Sequence, residues 1–336
     1  MVKKYFLFFP VLLILLVNCA SNPQNNDYEP VDLTPLELPI THLNVWDIAV
    51  RDSILFVVSY GEDDYWRRGL YICNAIDPTE PVIIETLAVN TKSIALDDSV
   101  IFIGGIRSWV YSVDIREILD INTLDTLTDF YYLFVADYAD GFLYVVDRLH
   151  GLYVIDASDP ANLSIASNAP TPGGYARNVD VAGVYAYVAS GAAGVYIFDI
   201  SDPYSPEEVG QYDTPGYCWS VAIDTGANIL YIADEFNGAL VLDVSDPSSP
   251  EKVGEWSISG SKLIYVEMHG DLPVFIEEDY GLRVLYYNGE NAIELGHAEV
   301  TSGDPRTICS YGDYVFVGTS DTLYLIDLTP ARNNIP

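Results

Sequence analysis

"GVYIFDISDPYSPEEVGQYDTPGY" (Gly194–Tyr217) is answered one period later by "GALVLDVSDPSSPEKVGEWSISG" (Gly238–Gly260). Each stretch opens on glycine, runs through strand-forming residues to an aspartate, turns through Ser-Asp-Pro and resumes as a more polar strand. A third copy, "GLYVIDASDP" (151–160), lies upstream, so Asp156, Asp199 and Asp243 stand 43 and 44 residues apart. Weaker copies put Asn74, Asp114, Tyr286 and Asp327 at the aspartate position, which makes seven units spaced 40 to 44 residues apart.

An apolar run precedes each copy, among them "ILFVVS" (54–59), "FLYVVD" (142–147) and "YAYVAS" (185–190). An earlier strand, such as "ARNVDVAG" (176–183), comes before that. No helix-length amphipathic run appears after the N-terminal segment. Four short strands per unit of this length predict an all-β fold, a seven-bladed β-propeller with four antiparallel strands per blade. The physical driver is burial: a lone four-stranded sheet cannot shield both faces, and radial stacking lets each blade cover the next. The predicted ring spans 31–330, with blades starting near 43, 91, 131, 175, 217, 261 and 304 and residues 331–336 as a tail. The seventh unit holds only three strands, whereas "VDLTPLELPITH" (31–42) has no partner. That N-terminal strand is expected to close the last blade and remove an open edge.

At the turn, Asp and Ser side chains bond nearby amides, Pro203 fixes φ, and Pro206 starts an edge strand where no ladder donor is needed. A calcium loop of the D-x-D-x-D-G kind is absent, so these aspartates read as structural and no metal site is assigned.

The pattern resembles the LVIVD-repeat family, named for strands like "LYVID" (152–156), and the likeness is closest over residues 183–217. It is strongest in blades three to five and weakest in two and six. The resemblance implies a propeller fold and a bacterial surface or secreted location, often as a lipoprotein; it implies no shared reaction.

Of 336 residues, 49 are acidic and 15 basic, a net charge of −34. Such a surface repels nucleic acid and anionic lipid headgroups. The N-terminus has its own logic. Lys3 and Lys4 precede an uncharged apolar run, Tyr5–Val17, that is shorter than the ~20 residues a spanning helix needs. Residues 1–18 therefore read as a signal peptide before a lipobox-like Cys19, although Asn18 departs from the small residue usual there. Residues 19–30 form a polar tether, with Cys19 the lipidation candidate and a simply cleaved signal the alternative. The expected address is the bacterial cell envelope or the exterior, favouring an outer-membrane or surface lipoprotein. Cys73, Cys218 and Cys309 offer no disulfide framework and read as small buried residues.

Stacking equivalent positions places Trp46, Lys92, Phe134, Arg177, Trp219, Ile264 and Arg306 at the start of successive inner strands. Neighbouring loops add Arg67, Arg68, Arg107, Arg148 and Lys262. Eight of the 13 Lys and Arg after Cys19 thus fall on one face of the ring. One reading is a binding mouth at the central channel, with cations for acidic groups and Trp for stacking on sugars or peptides. The other is a rim whose cations offset the acidic loops at 62–64, Asp234-Glu235 and 277–279. His42, His150, His269 and His297 fall in different blades, and no nucleophile elbow, P-loop or dinucleotide fingerprint is present. No catalytic residue and no cofactor are assigned. The expectation is a monomeric binding or scaffold module for an envelope or extracellular protein, peptide or glycan, membrane-tethered through its N-terminal lipid. A hydrolase or lyase at the channel mouth is the alternative.

Overall fold

Alternate residues of a strand point to opposite faces, and in a blade covered on both sides each set meets a different neighbour. In the second strand of blade one, Leu55 and Val57 join the cluster shared with blade seven, whereas Phe56 and Val58 join that shared with blade two. In blade four, Ala186 and Val188 face blade three while Tyr187 and Ala189 face blade five. Hence the near-continuous apolar runs: both faces of these strands are interior.

The computed structural model describes residues 29–60, 68–105, 109–118, 121–128, 130–257 and 259–336. These residues form seven blades of four antiparallel strands in a ring, with a hydrophobic cluster at each of the seven junctions. The blades span 45–87, 91–128, 133–169, 178–212, 220–256 and 263–299, and the seventh 305–327 with its added strand. Phe56, Phe102, Phe198, Phe275 and Phe316 are fully buried, each contributing about 1.5–3 kcal/mol of transfer free energy. Cys73 and Cys218 are buried and Cys309 partly so, all as free thiols. The signal segment, most of the tether and Cys19 lie outside the described residues, as do Arg67 and Arg107.

The N-terminal strand closes the ring as expected. Pro35–Thr41 pairs antiparallel with Thr322–Asp327, with Leu36 opposite Leu325 and Glu37 opposite Tyr324. Leu38 and Ile40 are buried between blades seven and one. Two further contacts were not expected. Val31–Asp32 pairs parallel with Ala292–Glu299, adding a fifth strand to blade six, and His297 Nε2 lies 2.8 Å from Asp32. At the other terminus, Thr329–Arg332 makes one helical turn that buries Ala331, and Arg332 Nη2 donates to the His269 carbonyl at 2.9 Å. Residues 331–336 therefore seat against blade six instead of trailing from the ring.

The repeated aspartate works as a turn former. Asp199 Oδ1 accepts from the Ser201 amide at 2.8 Å, and Asp243 and Asp156 do the same for Ser245 and Ser158. Asn74, Asp114 and Asp327 repeat the bond in the weaker copies. Hydrogen bonds from the neighbouring serines hold the Asp156, Asp199 and Asp243 carboxyls below their ordinary value.

Candidate functional site: the channel mouth

The inner strands reach the mouth through β-bulges. In blade one, Val45 pairs with Ser59 and Asp47 with Val58, leaving Trp46 unmatched. Lys92, Ile264 and Arg306 are skipped in the same way. Arg177 and Asn178 both address Ala189, and Trp219 and Ser220 both address Ala233. A bulge kinks its strand and re-aims the extra side chain. Here it turns the residue at the top of each inner strand toward the axis. Trp46, Lys92, Arg177, Trp219, Ile264 and Arg306 thereby line one cavity of about 220 Å³, together with Asp47, Tyr265 and Glu278. Blade three departs from this pattern. Phe134 pairs with Val146, the skipped residue is Val135, and the Phe134 side chain lies outside the described set.

Each mouth cation rests on aromatic rings. Lys92 Nζ lies 3.5 Å from the Trp46 ring centroid, and Arg306 Cζ lies 4.5 Å from the same centroid. Arg177 Cζ stands 4.5 Å from Trp219 and 5.2 Å from Tyr217. The rim repeats the arrangement: Arg68 over Tyr60, Arg148 over Tyr175 and Lys262 over Phe236. Lys262 also pairs with Glu278 at 2.8 Å. A second rule links blades. Each mouth cation bonds the residue two positions before the mouth residue of the next blade: Lys92 to Tyr132 Oη at 3.0 Å, Arg177 to Tyr217 Oη at 2.8 and 2.9 Å, Arg306 to Asn44 Oδ1. Burial lowers the Arg306 guanidinium below its ordinary pKa, opposed by Asp304.

Below the mouth, the channel-side edges of the inner strands present N–H groups that must find acceptors. Side chains of the preceding blade supply them. Asp47 Oδ2 accepts from the Ile94 amide, Asp137 from Val181, Asn178 from Val221, Asp180 from Ile223 and Glu267 from Ser310, at 2.8 to 3.0 Å. Ser220 Oγ accepts from Val266 at 3.2 Å, and Thr307 reaches Asp47 at 3.4 Å. Desolvation pushes Asp47, Asp180 and Glu267 each up to about 7, against the pull of these hydrogen bonds. A second cavity of about 170 Å³ lies among Asp137, Asp180, Glu267 and Met268 and shares Asn178 and Tyr265 with the mouth. The channel therefore has a cationic, aromatic top and an acidic waist.

The histidines do not converge. His42 lies 3.7 Å from Asp321, His150 Nδ1 is 2.8 Å from Asp147, His297 joins Glu294 and Asp32, and His269 is buried in blade six. Among the described residues no group of three or more His, Cys, Asp or Glu is arranged to hold a metal ion. The sequence reading missed Tyr60, Tyr132 and Tyr217 as cation partners. It also missed four exposed hydrophobics in the loops around the mouth: Tyr131, Leu149, Tyr175 and Phe236. A signal for part of this was visible in Tyr132, Tyr175 and Tyr217, each two residues ahead of a mouth position.

Residues 137–171, 173–214 and 215–257 match the LVIVD repeat, which covers blades three to five. No curated protein matches the chain. Among solved structures, one described as the structure of U3-55K superposes with a TM-score of 0.71 at 11% identity, over 89% of this chain and 100% of that one. Another, the crystal structure of RRP9 WD40 repeats, gives a TM-score of 0.70 at 11% identity, over 89% and 98%. At that identity the likeness is one of fold.

Proposed function

From a ring that carries LVIVD repeats in three of its seven blades, we propose a non-catalytic binding module whose channel mouth receives a partner in the cell envelope or outside the cell. One observation carries the reading: cations and indoles from blades one, two, four, five and seven line a single cavity at one end of the channel. Spending three cations there, in a chain of net charge −34, suits recognition of an acidic group. Export follows the basic start and apolar run before Cys19, with a lipid on that cysteine holding the ring at a membrane surface.

Two measurements test the parts separately. Affinity capture from envelope extracts with wild-type protein and with Arg177→Glu/Arg306→Glu should recover a partner that the double variant loses while keeping its far-ultraviolet dichroism. Equal recovery by both proteins removes the mouth from consideration. Mass spectrometry of the natural N-terminus should find an acylated Cys19; a chain beginning at Met1 sinks the export reading.

A further inference from the structure

We infer that the mouth takes a single carboxylate presented by a peptide segment, not a sugar ring; this rests on the binding-module reading above. The indoles decide between the two. A pyranose needs an open aromatic face, yet Trp46 sits between Lys92 of blade two and Arg306 of blade seven, 3.5 and 4.5 Å from its centroid. Trp219 likewise carries Arg177 at 4.5 Å. The rings act as pedestals. A guanidinium lying on a ring has its plane fixed: Arg177, on Trp219, gives Nε and Nη2 to Tyr217 Oη, and Arg306, on Trp46, gives Nη1 to Asn44 Oδ1, so both positive groups are held in place ahead of an incoming carboxylate.

Size and surroundings narrow the ligand further. A cavity of about 220 Å³ is smaller than the ~300–1,000 Å³ of pockets that enclose whole small molecules; it holds one side chain. Beside it stand Tyr131, Leu149, Tyr175 and Phe236, exposed at 58, 51, 43 and 57%. These exposed side chains, three aromatic and one aliphatic, lie on the blade three-to-five side of a charged pocket; exposed aromatics are enriched at protein contacts, and a single anchor side chain entering a pocket is the arrangement of a hot spot. The chain's own charge supplies selectivity. At physiological salt its field dies away over ~8 Å, so a polyanion lying across the acidic body is repelled. Inside the mouth an isolated carboxylate meets Lys92, Arg177 and Arg306, beside two wall carboxylates that already have partners: Glu278, paired with Lys262 at 2.8 Å, and Asp47, which accepts from the Ile48 and Ile94 amides.

The test titrates the folded ring by calorimetry with three probes: acetyl-Phe-Gly-Glu-Gly-Phe-amide, its Gln counterpart, and trigalacturonate. The Glu peptide is expected to bind saturably and at least tenfold more tightly than the Gln peptide. Arg306→Gln and Lys92→Gln should each weaken it at least fivefold while the far-ultraviolet dichroism stays that of the folded ring, and Phe236→Ala at least threefold. Equal binding of the Glu and Gln peptides overturns the inference. So does tighter binding of trigalacturonate that is lost in Arg306→Gln, although the mouth then stands as a binding site for glycans. If no probe binds while Arg177→Glu/Arg306→Glu still abolishes partner capture, the carboxylate inference falls and the module survives. If capture is also unaffected, both fall.

Discussion

Asp180 and Asn178 stand two positions apart on one inner strand and do the same work with different charge. Each accepts a backbone N–H from blade five, Asp180 from Ile223 at 2.8 Å and Asn178 from Val221 at 3.0 Å. Burial, with nearby Asp137 adding to it, pushes the Asp180 carboxyl up to about 7, whereas an unfolded aspartate titrates near ~3.9. Between those values the native chain holds a proton that the unfolded chain has released. Stability therefore falls as pH rises from about 4 to about 7, and the full cost persists above. Asp47 and Glu267 add to the slope with the same sign. Asp180→Asn keeps the acceptor and removes the titration. Three pKa units correspond to about 4 kcal/mol, but Asp180 is only half-buried and faces the channel, so screening leaves about 1–2 kcal/mol. In urea denaturation the variant should match wild type at pH 4 and exceed it by that amount at pH 8; a gap of the same size at both pH values counts against the account.

Five of the seven units open the third strand on or directly after a glycine, Gly69, Gly151, Gly194, Gly238 and Gly281, and at Gly194 the reason is backbone geometry. Gly194 has φ +74°, and a Cβ there would lie 2.1 Å from the Tyr212 carbonyl oxygen of the neighbouring outer strand. Gly183, in the hairpin just before, also has positive φ (+59°) but faces open space. The pair separates strain from collision. Gly183→Ala should cost about 1 kcal/mol for the left-handed conformation alone. Gly194→Ala should cost at least about 3 kcal/mol because main chain must also move; near-equal losses in chemical denaturation would contradict this. Such elements were legible because they are periodic: the glycine, the aspartate turn and the three-stranded last unit all recur or fail to recur on schedule. The mouth positions were legible for the same reason, since Trp46, Lys92, Arg177, Trp219 and Arg306 occupy one column of the repeat and now line one cavity. What escaped notice lacks a period. Val31–Asp32 is two residues long and pairs with a strand that is remote in sequence. In blade three the bulge falls at Val135 instead of Phe134, a shift of one residue that no spacing argument resolves. The interblade backbone acceptors are Asp, Asn, Ser and Glu in turn, so one task is hidden under four residue types.

A ring has no terminal repeat, and that changes what a local lesion does. In an open array the end units fray, because each end has one neighbour. Here the first strand of the chain completes the last blade, so the junction between blades seven and one is built like the other six. Leu38 on that closing strand is fully buried, as is Leu230 in the junction between blades four and five. Truncating either to alanine removes a large buried side chain and should cost about 2–5 kcal/mol. If closure makes the ring one cooperative body, Leu38→Ala and Leu230→Ala lower a single unfolding transition by similar amounts. Tryptophan fluorescence and far-ultraviolet dichroism should then coincide in both variants. If the clasp instead frays on its own, Leu38→Ala leaves the main transition in place. Amide exchange would then quicken only along Thr322–Asp327, the strand that Pro35–Thr41 covers. Coincident, matched transitions would mean that the N-terminal strand is part of the ring's stability and not a latch laid over it. The mouth, whose cations reach from each blade to the next, would then depend on that strand as much as on any residue that lines it.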